Sequence, residues 1–154
     1  MKARNLMLTL ALCFAGATVC FAQSAQMGSW KLNEAKSQIP AGAIKNTTVM
    51  YEPSGDSVKV TTDGTDSDGK AQHTEWTGKF DGKSYPLTGD PGADARVYKR
   101  INDHTLTLAN MKDGKAINSG RVTVSADGKT RTVRVTGANS GGKKVTSVAV
   151  YDKQ

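Results

Sequence analysis

The chain has 154 residues and two cysteines, Cys13 and Cys20, and both fall within its first 22 residues. From Gln23 onward there is no thiol. Disulfide staples, thiolate metal sites, redox pairs and cysteine nucleophiles are therefore excluded from the body. Aromatic residues are scarce at 6%, and there are 4 prolines. Beyond residue 22 no apolar run approaches the ~20 residues that a membrane-spanning helix takes. No segment longer than two turns carries a helical period. No serine lies in a Gly-x-Ser-x-Gly elbow. Gly141-Gly142 lies between strand-like runs and not ahead of a helix, so no phosphate-cradling loop is formed. These absences leave no catalytic residue, cofactor or metal to assign, and a non-enzymatic role is expected.

The first 22 residues read differently from the rest. Lys2 and Arg4 precede a charge-free apolar run from Leu6 to Phe14. Cys20-Phe21-Ala22 then places small side chains at the two positions a signal peptidase reads. A basic start, a short greasy core and a cleavable end make a secretory signal. The expectation is a signal peptide over 1–22 and a secreted or periplasmic domain over 23–154. The alternative is a retained anchor, since Leu6 to Ala22 is at the lower limit of the ~17–25 residues that span a bilayer. The run has no basic stop-transfer cluster, and Leu12 and Val19 precede the cysteines where a lipoprotein needs a small residue.

The formal net charge is +7, and loss of Lys2 and Arg4 takes it to +5. The cations are spread along the body as Lys99, Arg100, Arg121, Lys129, Arg131, Arg134, Lys143 and Lys144. Nucleic-acid binding calls for clustered charge with interleaved aromatics, which is not the pattern here. The balance fits a solvated basic surface, with weak contact to an anionic envelope surface as its functional form.

Turn signals recur at Pro53-Ser54-Gly55-Asp56, Asp68-Gly69, Asp81-Gly82, Asn102-Asp103, Asp113-Gly114, Asp127-Gly128 and Ser140-Gly141-Gly142. Asp, Asn and Gly accept the positive φ angles of tight hairpins. Between them lie runs of period two. Val58 and Val60 share a face, as do Leu106 and Leu108, and Val122 and Val124. Arg131 falls on the face of Val133 and Val135, and Val148 and Val150 oppose Ala149 and Tyr151. The expected strands are 28–32, 46–52, 57–63, 70–80, 83–87, 95–101, 104–111, 115–125, 129–137 and 143–152. Residues 33–45 are irregular, with one helical turn at Glu34-Ala35-Lys36 that Pro40 and Gly42 keep short. A meander of this length removes its open edges most economically by closing. The fold class is all-β, an antiparallel up-and-down meander closing into a calycin-like barrel of about 8–10 strands.

Gly28-Ser29-Trp30-Lys31-Leu32 resembles the Gly-x-Trp that opens the first strand of lipocalins and fatty-acid-binding proteins, the calycins. Val148 to Gln154 resembles the closing strand of the fatty-acid binders. Trp30 to Asn33 and the Lys-Phe-Asp-Gly-Lys stretch at 79–83 are similar to segments of secreted bacterial lipocalin-like proteins of unassigned role. The resemblance implies that Trp30 closes one end of a barrel. It also implies that a basic side chain from a late strand packs over that tryptophan, with Arg121, Arg131 and Arg134 as candidates. Many fatty-acid binders grip a carboxylate with Arg-x-Tyr in the last strand. Here those positions read Ala149-x-Tyr151, so the arginine is missing from that strand, which argues against a high-affinity fatty-acid carrier.

Two constellations call for weighing. His73 and Glu75 share a strand face with Thr77, and with His104 they would make a two-histidine, one-carboxylate metal site. The plain reading is a polar, solvent-facing row. Asp63, Asp66 and Asp68 before Gly69 look like half of a calcium loop, but the final acidic ligand and flanking helices are missing, and a solvated hairpin turn is expected. The leading expectation is a barrel that binds a small, partly apolar, lipophilic ligand. Tyr51, Trp76, Tyr98 and Tyr151 line its cavity, Trp30 closes one end, and the 33–45 segment lies near one end. The rival is a structural or envelope-interaction β domain with a filled interior.

Overall fold

The structure, a computed structural model, describes residues 24–139 and 141–154. The expected export segment lies outside the described residues. Among these residues the chain forms ten strands in order: β1 (Gly28–Leu32), β2 (Lys45–Ser54), β3 (Ser57–Thr65), β4 (Ala71–Gly78), β5 (Asp81–Thr88), β6 (Ala95–Asn102), β7 (Thr105–Lys112), β8 (Lys115–Val124), β9 (Thr130–Ala138) and β10 (Lys144–Lys153). Each pairs antiparallel with the next, and β1 also pairs with β10 through Trp30↔Lys153 and Leu32↔Tyr151. The sheet is thus a closed up-and-down β-barrel with no free edge. An antiparallel barrel of this order fits a calycin-like fold. All ten expected runs are strands, with ends shifted by a residue or two.

The hairpins close where Asp-Gly and related pairs stand. At the β7–β8 turn Asp113 has φ 49° and Gly114 φ 74°, the double positive φ of a tight hairpin. The 33–44 connection opens with a short 3-10 turn, Glu34–Lys36, capped by the Asn33 side chain. It stays beside β10, through an isolated bridge between Gln38 and Val148, before crossing to β2.

The alternation predicts the inward face of most strands. Val60, Leu106, Leu108, Val122 and Val124 are buried. In β10 the inward pair is Ala149 and Tyr151, while Val148 and Val150 face outward against the 33–38 segment. One seam is thin. Strands β4 and β5 pair only at Glu75↔Thr88 and Trp76↔Leu87. There the Tyr85 ring lies directly on Gly78, where a Cβ would stand 2.5 Å from Tyr85 Cγ. Side-chain packing of Trp76, Phe80 and Tyr85 therefore fills the place of ladder hydrogen bonds.

The two ends differ. The β2–β3, β4–β5, β6–β7 and β8–β9 hairpins gather at one end together with the 24–27 lead-in. That lead-in runs across the barrel bottom, and the carbonyl of Gln26 accepts the Trp30 indole N–H at 2.8 Å. Trp30 and Gln26 are fully enclosed. This is the closed end, and Trp30 lies there. The other four hairpins and the 33–44 connection surround the open end.

Candidate functional site

A cavity of about 410 Å³ opens at the end ringed by the 33–44 connection. Its walls are of two kinds. One side, from β9, β10 and the crossing segment, is apolar and includes Val133, Val135, Ala149 and Ile39. The other, from β4, β6, β7 and β8, is polar and includes Thr74, Arg96, Asn110 and Asn118. The polar side follows from a gradient along the inward rows. Val60 gives way to Thr62, Trp76 to Thr74, Leu106 and Leu108 to Asn110, and Val122 to Asn118. In each of these strands the inward side chains turn from apolar to polar toward the open end.

The polar groups are joined. Arg96 Nε donates to Asn110 Oδ1 at 2.6 Å, and Asn110 Nδ2 donates to Asn118 Oδ1 at 2.9 Å. Arg96 Nη1 also donates to the Tyr98 hydroxyl at 3.4 Å. That same oxygen accepts from the Tyr51 hydroxyl at 3.4 Å, and Tyr51 in turn accepts from Arg131 Nη2 at 2.6 Å. Arg131 is 3% exposed. Its guanidinium lies 5.0 Å from the Tyr51 ring centroid and 5.2 Å from that of Tyr151. Among the described residues its Nε and Nη1 are buried with no acceptor, and Gln72 Oε1 on the cavity wall likewise has no partner. No carboxylate pairs with Arg96 or Arg131 among the described residues.

Two guanidinium groups, Arg131 buried and Arg96 half-buried on the cavity wall, shape the tyrosines beside them. Burial pushes the Tyr51 phenol well up, against the pull of the Arg131 charge. Burial also acts to raise Tyr98, but the Arg96 and Arg131 charges and the hydrogen bonds its oxygen accepts outweigh it and carry Tyr98 below its ordinary 10.0. Tyr98 is the acid of the pair because its oxygen is the one that receives both donors. Tyr151 is raised by burial, and its hydroxyl donates to the Asn46 carbonyl at 3.1 Å.

The residues expected to line the pocket are brought together. Tyr51, Trp76 and Tyr98 are buried in one ring cluster, with Trp76 and Tyr98 centroids 4.9 Å apart and Tyr51 and Tyr98 6.4 Å apart. Tyr151 reaches the cavity wall itself, and the other three pack beneath it in the core. Arg96, Asn110 and Asn118 were not expected. Their signal was present in period two, which sets Arg96 in phase with Tyr98 and Asn110 in phase with Leu106 and Leu108.

Two expectations change. The basic side chain over Trp30 is Lys153, whose Nζ lies 5.0 Å from the indole and donates to the Met27 carbonyl. Arg121 and Arg134 face outward, and Arg131 serves the tyrosines. The guanidinium missing at Ala149 is supplied from the next strand instead, since Arg131 is the direct partner of Tyr151 across the β9–β10 ladder.

His73 and Glu75 share the outer face of β4. His73 Nδ1 lies 2.6 Å from Asp63 Oδ1, and Nε2 lies 3.7 Å from Glu75 Oε1. The hydrogen bond with Asp63 raises the His73 pKa above 6.5. His104 is in the β6–β7 turn at the closed end, where its carbonyl accepts from Gln26 Nε2, so the two histidines do not meet. No group of three or more metal-ligating side chains stands together among the described residues. In the β3–β4 turn, Asp66 Oδ1 accepts from the Asp68 and Lys70 amides, which makes a hairpin turn.

No protein-family model matches the chain, and no curated protein matches it significantly.

Proposed function

We propose that this is an exported, lipocalin-like binding protein, not a catalyst, and that it holds a small amphipathic molecule whose anionic group meets Arg96, with Arg131 behind it through Tyr98 and Tyr51. The observation that carries the reading is a pair of linked guanidinium groups with no carboxylate beside them among the described residues: Arg96 on the cavity wall and the buried Arg131, whose Nε and Nη1 have no acceptor there. A buried charge without a partner is costly, and an unsatisfied buried donor costs about 1–3 kcal/mol. An anion bound at Arg96 on the cavity wall offsets that charge through the Tyr98–Tyr51 link to Arg131. The divided walls give the rest of the description: aliphatic groups on β9 and β10 cover the apolar part of the ligand, and the arginine–asparagine side orients its polar end. A volume of about 410 Å³ suits a compact ligand.

The test is calorimetric titration with octanoate, octyl phosphate and octanol, which share a tail and differ in charge. At least one anion is expected to bind ~10-fold or more tightly than the alcohol, the scale of one charge-assisted hydrogen bond. Arg96→Met and Arg131→Met should each erase that preference. Equal or tighter binding of octanol overturns the reading, as does failure of both anions to bind.

A further inference from the structure

The outer wall of the barrel divides as sharply as its interior. On the outer face of β3 and β4, cations have partners: Lys59 meets Glu75 at 2.7 Å and His73 meets Asp63. Beyond the β4–β5 seam the pattern ends. Strands β6, β7, β8 and β9 contain no aspartate or glutamate, and the acids nearby are Asp103, Asp113 and Asp127 in the connecting turns and Asp81 at the start of β5, opposite Lys99 but not ion-paired with it.

Register sets the cations of this wall in one line. Lys99 stands opposite Thr107, Thr107 opposite Arg121, and Arg121 opposite Arg134. Directly paired residues project to the same side of a sheet. The flanking inward residues Tyr98, Leu106, Leu108 and Val122 are buried, so this line faces solvent, and Lys99, Arg121 and Arg134 are all exposed. None of the three takes part in an ion pair or a side-chain hydrogen bond among the described residues. Arg121 and Arg134 are direct cross-strand neighbours of like charge, an arrangement that works against sheet stability. Hydroxyls border the line at Ser119, Thr123, Thr132 and Thr136.

We propose that the outer face of β6 to β9 binds a linear anionic polysaccharide laid across the strands on Lys99, Arg121 and Arg134. The line crosses three strand spacings, about 15 Å, on a convex wall. A flexible chain can follow that curve and meet each cation, whereas a flat bilayer touches only part of it. The line holds no aromatic platform on which nucleic-acid bases could stack. The bordering hydroxyls pair with the hydroxyls of a sugar chain, and the guanidinium forks match its carboxylates. This surface lies on the outside of the wall, so its use is independent of what the cavity holds.

Polygalacturonate immobilised on a biosensor is the probe, with the purified protein in solution. The protein is expected to bind it at low salt, to ignore uncharged dextran, and to release at ~1 M salt, where the screening length is about 3 Å. Arg121→Glu should weaken binding ~10-fold or more. That variant sets a carboxylate opposite Arg134, so the fold gains a cross-strand pair, and a circular dichroism melt that is no lower than that of the unaltered protein checks that it is folded. Lys59→Ala, on the ion-paired face, should leave binding as it was. The proposal is overturned by absence of binding to polygalacturonate, by binding that Arg121→Glu leaves intact, or by a preference for phosphatidylglycerol vesicles or duplex DNA.

Discussion

At the closed end of the barrel Trp30 is wholly enclosed and its indole N–H is satisfied by the Gln26 carbonyl. Arg131, packed between Tyr51 and Tyr151 inside the barrel, is almost as deeply enclosed, yet its Nε and Nη1 have no acceptor among the described residues. The closed end has unpartnered atoms too, Gln26 Oε1 and His104 Nδ1, but the Gln26 amide is neutral, whereas Arg131 carries a full charge. The same barrel interior holds both, so the difference lies in which inward residue each strand contributes. A barrel needs apolar packing to fold. Setting a charged, incompletely partnered group within that packing weakens the fold, a pattern expected at a site built for a ligand and not for stability.

The comparison is broken most forcefully at Trp30. Trp30→Ala removes the largest fully buried side chain of the closed end and is expected to cost about 3–5 kcal/mol in urea unfolding. A loss below ~1 kcal/mol would mean that the closed end does not carry the fold. Arg131→Met tests the tyrosine cluster in the opposite sense. Removing an uncompensated buried charge should raise stability by about 1–4 kcal/mol while lowering affinity for anionic amphiphiles. A destabilised variant would show instead that Arg131 is a structural strut and does the same work as Trp30.

The smallest effect is read in the pH dependence of tyrosine absorbance. Tyr98 should ionise below 10.0, ahead of the buried Tyr51 and Tyr151, whose pKa values are raised. Because the folded pKa of Tyr98 is depressed, its ionisation contributes stability that is present above the unfolded value and is lost as pH falls through the folded one. Arg131→Met should move this titration upward, since one of the two charges that lower it is gone. No movement would separate Arg131 from the electrostatics of the site.

Much of this architecture was legible beforehand, and the limits have physical causes. Hairpins at Asp113-Gly114 and its counterparts announce themselves because few residues tolerate positive φ. Strand positions follow from period two. The inward face of β10 is different: hydrophobicity favours Val148 and Val150, but the 33–38 segment covers them from outside and frees Ala149 and Tyr151 to point in. Arg131 was correctly placed in phase with Val133 and Val135, yet its partner was not, because the choice between Trp30 and Tyr51 depends on how far the strands tilt around the barrel. Lys153 reaches Trp30 through a cross-strand pairing between chain ends, which no local pattern encodes. The gradient from Leu106 and Leu108 to Asn110, repeated in neighbouring strands, was available in the sequence but acquires meaning only once closure brings those ends together.

The most direct measurement is native mass spectrometry of the protein purified from its own host, beside its Arg131→Met variant. The account predicts a co-purifying small acid on the unaltered protein, released on denaturation and depleted from the variant. A neutral molecule retained equally by both proteins would contradict it.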